Sequence, residues 1–112
     1  YESIRDGLRE GGAASFQTES PLFMEDVFAM SVSDLKGVFG TSGASPYLAT
    51  IPTYPGGLWS FTFCSLSRDP MKEAPNELPT SLKDRLRYYD PAVHRAAFAL
   101  PVFVRKLMEG RK

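Results

Sequence analysis

YLATIPTYPGGLWSFTFCS, residues 47–65, decides the fold. Tyr47 to Pro52 has the length of a strand, and Leu58 to Ser65 is a second, enriched in Trp, Phe and Thr, which suit a pleated surface. Between them TYPGG, residues 53–57, is a turn with two glycines free to take positive φ. Two strands joined by so short a connection pair antiparallel, because a parallel pair needs a crossover of a dozen or more residues. The stretch therefore predicts a hairpin-like pair with a long turn.

Upstream, Gly40 to Pro46 is rich in Gly, Ser and Ala and is expected to be a loop. Before it, Phe28, Val32, Leu35 and Phe39 fall at helical spacing and make one apolar stripe. That helix is expected to open at Ser20-Pro21: serine can cap free amides, and proline is tolerated at the first position. Glu25 and Asp26 suit its dipole, and Gly40 is expected to close it. Ala13 to Thr18 is a short small-and-apolar run that fits a buried strand. Tyr1, Ile4 and Leu8 recur at helical spacing, with Gly11 and Gly12 as a stop. A helix under way at the first residue suggests preceding sequence.

Downstream, Ser67 to Pro79 is polar and carries Pro70, Pro75 and Pro79, which marks an exposed connector. Three helices are expected after it: Ser81 to Tyr89, Asp90-Pro91 to Phe98, and one begun by Pro101. Lys106, Arg111 and Lys112 put positive charge at the end of the last, where the helix dipole favours it. The order helix, strand, helix, strand, strand, helices predicts an α/β domain whose sheet ends in an antiparallel strand pair.

Bulk composition narrows the function. The chain has 112 residues, 43% hydrophobic and 23% charged, in keeping with one globular domain. Thirteen basic and thirteen acidic residues cancel, so the basic excess of a nucleic-acid or anionic-membrane partner is missing. No apolar run approaches the ~20 residues that cross a bilayer, and no signal-peptide pattern opens the sequence. Cys64 is the only cysteine, so it has no internal disulfide partner. In FTFCS it reads as a buried structural thiol in a reducing compartment, and a cytoplasmic location is expected. His94 is the only histidine, which leaves no basis for a metal cluster or a serine-histidine-aspartate triad; it reads as a structural hydrogen-bonding group.

Three strings are more specific: ASFQTES (residues 14–20), IPTYPGGLWSFTF (51–63) and YYDPAVHRAAFALPVF (88–103). Together they resemble the C-terminal half of spermidine synthases, and the resemblance runs from Tyr1 to about Lys106. It implies that residues 1–112 are the C-terminal portion of an aminopropyltransferase catalytic domain of Rossmann-like, methyltransferase type. The implied reaction moves an aminopropyl group from decarboxylated S-adenosylmethionine to putrescine, giving spermidine and 5′-methylthioadenosine. Decarboxylated S-adenosylmethionine is a co-substrate, so no cofactor is implied. Homodimers or larger homo-oligomers are the implied assembly. Sister enzymes on the same scaffold, spermine synthase and putrescine N-methyltransferase, and a non-catalytic paralogue are the alternatives.

Through the resemblance, Tyr54 matches the family's pocket tyrosine, Gln17 the strand-end glutamine, and Trp59 a large apolar wall residue. These types suit the chemistry. A four-carbon diamine needs polar groups at its ends and an apolar wall between. A phenol and an amide oxygen can each accept from an ammonium, and an indole face attracts a cation. Glu19 is a candidate for an acid acting behind Gln17. On the residues alone, Tyr54 also reads as a turn tyrosine, Gln17 as an ordinary strand-end residue and Trp59 as core. Many family members have Trp-Leu-His where this chain has PLFM, residues 21–24. The family's catalytic aspartate and glycine-rich nucleotide loop match nothing in this chain. They are expected upstream of Tyr1, leaving no catalytic residue here and a sheet edge where an upstream strand should pair.

Overall fold

The computed structural model describes residues 1–110; the expected basic end formed by Arg111 and Lys112 lies outside the described residues. The elements are α1 (Glu2–Gly7), β1 (Ala14–Gln17), α2 (Glu25–Phe39), β2 (Ala44–Thr50), β3 (Leu58–Cys64), α3 (Thr80–Lys83), α4 (Pro91–Phe98) and α5 (Val102–Met108). The strands form one sheet in the order β1-β3-β2, with both pairs antiparallel. The expected β2–β3 pair is present. β3 turns back to lie between β1 and β2, so that both outer strands run in one direction. β1 has no strand neighbour on its outer side among the described residues.

The register gives the sheet two faces. Ala14 and Cys64 are partners, as are Phe16 and Thr62, and Leu48 lies opposite Ser60. These residues face α2, whose stripe Phe28, Val32, Leu35 and Phe39 is buried as its spacing predicts. Half of the stripe packs with Ala44 and Cys64, against which Phe16 and Leu8 lie. The other half, Phe28 and Val32, packs with Val104 and Leu107 of α5, so that α5 docks on α2. On the opposite face, Tyr47 stacks on Phe61 with ring centroids 5.6 Å apart and meets Phe98 of α4 at 5.1 Å.

Element boundaries show where local signals were overruled. α2 starts at Glu25, four residues after Pro21. Ser20 does cap, but it caps a turn: its Oγ accepts from the amides of Leu22 (3.2 Å) and Phe23 (3.0 Å). α1 ends at Gly7, ahead of the glycine pair. β2 begins at Ala44 inside the expected loop and includes Pro46. Proline is tolerated there because β2 is an edge strand, where a missing N–H removes no ladder bond on the solvent side. Gly43 introduces β2, and a side chain is impossible at that position: its Cβ would lie 2.1 Å from the Phe39 carbonyl oxygen. Of the helix expected over Ser81 to Tyr89, only Thr80–Lys83 forms. Leu82 and Leu86 are 45% and 41% exposed, so the segment buries no apolar stripe, and packing is what stabilises short helices. The cap-plus-proline reading of Asp90-Pro91 holds: Asp90 Oδ1 accepts from the Val93 amide at 2.7 Å. α2 ends at Gly40 and α5 starts after Pro101, as expected.

His94 is a structural hydrogen-bonding group. Its Nε2 meets the Pro70 carbonyl at 2.7 Å, and its Nδ1 meets the Tyr89 hydroxyl at 2.7 Å. A carbonyl only accepts, so the neutral ring carries its proton on Nε2 and takes the Tyr89 O–H at Nδ1. Arg95 adds a bond to the Pro75 carbonyl, and α4 is thereby tied to the proline-rich connector.

Cys64 is fully buried, and desolvation raises its thiol from 9.0 to about 11. The fold favours the neutral thiol, so this group's stabilisation is complete below 9.0 and is lost as pH rises toward about 11. The expected result is no reaction with a thiol reagent in the folded protein at pH 8 and full reaction in denaturant. Cys64→Ala should flatten that part of the pH dependence, read as urea midpoints between about pH 8 and 11. Rapid labelling of the folded thiol would contradict the buried assignment.

Candidate amine site at the end of β1

Gln17, Tyr54 and Trp59 come from three segments and meet in one place. Gln17 closes β1 and is exposed. Its Nε2 donates to the Tyr54 hydroxyl at 3.3 Å. Tyr54 is half-buried, and its ring meets Trp59 edge-to-face, with centroids 4.6 Å apart. The carboxyl end of a strand is where open α/β sheets place their ligands.

The loop that holds Tyr54 is built from two consecutive turns. The Ile51 carbonyl accepts from the Tyr54 amide (3.0 Å), and the Tyr54 carbonyl accepts from the Gly57 amide (2.9 Å). Each turn has proline in its second position, Pro52 and then Pro55, where the ring's fixed φ is already correct. Gly56 follows with φ 76°, which the third position of a type II turn demands. Gly57 also has positive φ, 71°, and its carbonyl accepts from the Ile51 amide at 2.8 Å to close the loop. The glycines therefore do what TYPGG predicts. Tyr54 ends one turn and begins the next, which fixes the direction of its side chain.

Trp59 is 9% exposed and packs as a wall beside Tyr54; its indole N–H has no hydrogen-bond partner among the described residues. The phenol and the amide form a polar rim over this apolar wall. Glu19 acts through its backbone: it has φ 73°, and its carbonyl accepts from both the Ser60 amide (3.0 Å) and the Ser60 hydroxyl (2.7 Å).

Sequence reading missed a group of buried hydroxyls directly behind the rim. Thr18, Ser60 and Thr62 are all fully buried. Thr18 Oγ1 lies 2.8 Å from Ser60 Oγ and 3.1 Å from Thr62 Oγ1. The available signal was the alternation in LWSFTFC, where Ser60, Thr62 and Cys64 interleave with Trp59, Phe61 and Phe63. Such alternation normally marks a solvent face; here both faces are covered.

A separate cavity lies elsewhere. It measures about 640 Å³ and lies between the sheet and α4, with Tyr47, Phe63, Tyr89, His94 and Phe98 in its wall. None of Gln17, Tyr54 or Trp59 lines it. The rim is the better candidate for amine recognition, because it gathers unlike polar groups on one apolar wall.

A sheet whose third strand inserts antiparallel between the first two, backed by α2, is the closing part of a methyltransferase-type α/β domain. The chain belongs to the spermine/spermidine synthase family: the spermine/spermidine synthase domain matches residues 1–73. It is 41% identical over 111 residues to a polyamine aminopropyltransferase of Caldicellulosiruptor saccharolyticus, covering 97% of this chain and 37% of that protein. It is also 41% identical over 110 residues to the polyamine aminopropyltransferase of Moorella thermoacetica, with 98% and 37% covered. The crystal structure of spermidine synthase from Thermotoga maritima superposes with a TM-score of 0.87 at 37% identity, over 97% of this chain and 38% of that one. A spermidine synthase in complex with the transition-state analogue AdoDATO superposes with a TM-score of 0.77 at 37% identity, over 88% and 34%. The chain thus spans little more than a third of these relatives. Among the described residues no helix is long and apolar enough to cross a membrane.

Proposed function

We propose that this chain is the C-terminal portion of a spermidine synthase catalytic domain and supplies the acceptor-amine wall of its active site. The whole protein transfers an aminopropyl group from decarboxylated S-adenosylmethionine to putrescine. The amine nitrogen attacks the propyl carbon bound to the sulfonium, and the carbon–sulfur bond breaks. Its electron pair stays on sulfur, giving neutral 5′-methylthioadenosine, and the amine releases a proton to a base. Spermidine is the second product. The observation that carries this reading is the meeting of Gln17 and Tyr54, at 3.3 Å, over the Trp59 ring. In this reading the Tyr54 hydroxyl and the Gln17 amide oxygen accept from an ammonium, while the Trp59 ring flanks the methylene chain. Holding amine and carbon in line removes much of the barrier that free encounter would impose. The base and the nucleotide contacts lie in sequence outside this chain, and the protein works in the cytoplasm as a homo-oligomer.

The test is an assay of the longer protein with decarboxylated S-adenosylmethionine and either putrescine or spermidine, reading polyamine product and 5′-methylthioadenosine. Spermidine formed from putrescine supports the reading. Spermine formed from spermidine alone would move the acceptor assignment to spermine synthase, and methylation of putrescine by S-adenosylmethionine would point to the N-methyltransferase. The isolated 112-residue chain is expected to show no turnover, and activity in it would place the base among its own residues.

A further inference from the structure

We propose that Thr18, Ser60 and Thr62 are positioning residues of the amine site. Their hydroxyls form a one-way hydrogen-bond chain that locks the end of β1 and so sets where Gln17 meets Tyr54. The inference rests on the reading above, in which Gln17 and Tyr54 touch the amine.

The direction of the chain follows from counting protons. A hydroxyl has one hydrogen to give. Ser60 gives its own to the Glu19 carbonyl at 2.7 Å. In the 2.8 Å contact with Thr18, Ser60 can then only accept, so Thr18 donates. Thr18 has now spent its hydrogen, so in the 3.1 Å contact Thr62 donates to it. The order is Thr62 to Thr18 to Ser60 to the Glu19 carbonyl. All three side chains are fully buried, so water offers no replacement partner, and an unmade bond there costs the full desolvation of the group. Bonds linked in series in a low-dielectric interior also strengthen one another.

What this chain grips is the turn that ends β1. The Thr18 amide donates to the Ser60 carbonyl at 3.0 Å, and the Ser60 amide donates to the Glu19 carbonyl at 3.0 Å. Two residues thus oppose one, in the manner of a β-bulge, a device that re-aims side chains beside functional sites. Glu19 pays for this with a left-handed φ of 73°, which a residue with a side chain seldom adopts. The two donors from Ser60 hold it there. Gln17 immediately precedes Thr18, and Trp59 immediately precedes Ser60. Because strand side chains alternate, the hydroxyls point into the interior while both site residues point to the opposite face. Locking Thr18 to Ser60 therefore fixes where Gln17 and Trp59 stand on that face.

The decisive variants, made in the longer protein, are Thr18→Val and Thr18→Ser. Valine keeps the shape and removes the hydroxyl; serine keeps the hydroxyl. Thr18→Val is expected to raise KM for putrescine about tenfold while KM for decarboxylated S-adenosylmethionine moves about twofold or less, and Thr18→Ser is expected to restore most of the putrescine KM. Gln17→Ala should cost less in the Thr18→Val background than alone, because the hydroxyl acts through Gln17. Strict additivity of the two changes would overturn the proposal, as would a loss of thermal stability with no change in the putrescine KM. Amide hydrogen exchange reads the same lock without catalysis: in Thr18→Val the Thr18 and Ser60 amides should exchange at least about tenfold faster, with the β2–β3 amides unchanged. Unchanged exchange at Thr18 and Ser60 overturns the proposal even if the longer protein transfers no aminopropyl group, an outcome that would sink the functional reading on its own. If Thr18→Val does not fold, Thr62→Val carries the same tests from the far end of the chain.

Discussion

Tyr54→Phe, made in the longer protein, is expected to lower kcat/KM for putrescine about tenfold to a hundredfold. The substitution removes one oxygen and leaves the ring, so the 4.6 Å edge-to-face packing on Trp59 survives. The two proline turns that hold residue 54 depend on backbone bonds alone, so the loop should keep its shape. What is lost, on the proposed function, is one hydrogen bond to a charged amine, worth about 1.5–3 kcal/mol, and the expected range is that energy expressed as a rate ratio. Gln17 loses the acceptor of its Nε2 at the same time, so Gln17→Ala and Tyr54→Phe should combine less than additively. KM for decarboxylated S-adenosylmethionine should change little, because the proposed nucleotide contacts lie outside this chain. Steady-state kinetics with each substrate varied in turn decides the matter. A variant equal to wild type in kcat/KM for putrescine would make Tyr54 a turn residue and no more.

The second large effect is on stability. Phe28→Ala should cost about 3–5 kcal/mol, from lost transfer energy together with the cavity left behind. Phe28 is fully buried, and it joins Val32 of α2 to Val104 and Leu107 of α5. Its loss therefore removes the contact that docks the last helix as well as filling volume. Against a total stability of about 5–15 kcal/mol, this is a large share of what holds a domain folded. Thermal unfolding of the longer protein reads it as a fall in Tm. Val102→Ala, on the 58% exposed side of α5, is the control and should shift stability by about 0.5 kcal/mol or less. Equal effects of the two changes would mean that α5 is not docked through Phe28.

Much of this protein is legible in its sequence because the deciding signals are local. The α2 stripe, the Asp90 cap, the proline-glycine loop and the paired strands each depend on residues close together in the chain. Tyr54, Gln17 and Trp59 were nameable because the quoted strings resemble a known family, and on pattern alone each also read as ordinary scaffold. Tertiary structure decided the rest. Where β3 lies is set by which strands it can pair with, and no local propensity encodes its return between β1 and β2. Whether Ser81 to Tyr89 becomes a helix depends on an apolar partner, and Leu82 and Leu86 stay exposed among the described residues. The hydroxyls of Thr18, Ser60 and Thr62 carried no signal of their own, because alternation shows that a strand has two faces and is silent on whether both are buried. Only the packed α2 on one side and the aromatic layer on the other make those hydroxyls interior, and burial is what lets three small polar groups hold the end of β1.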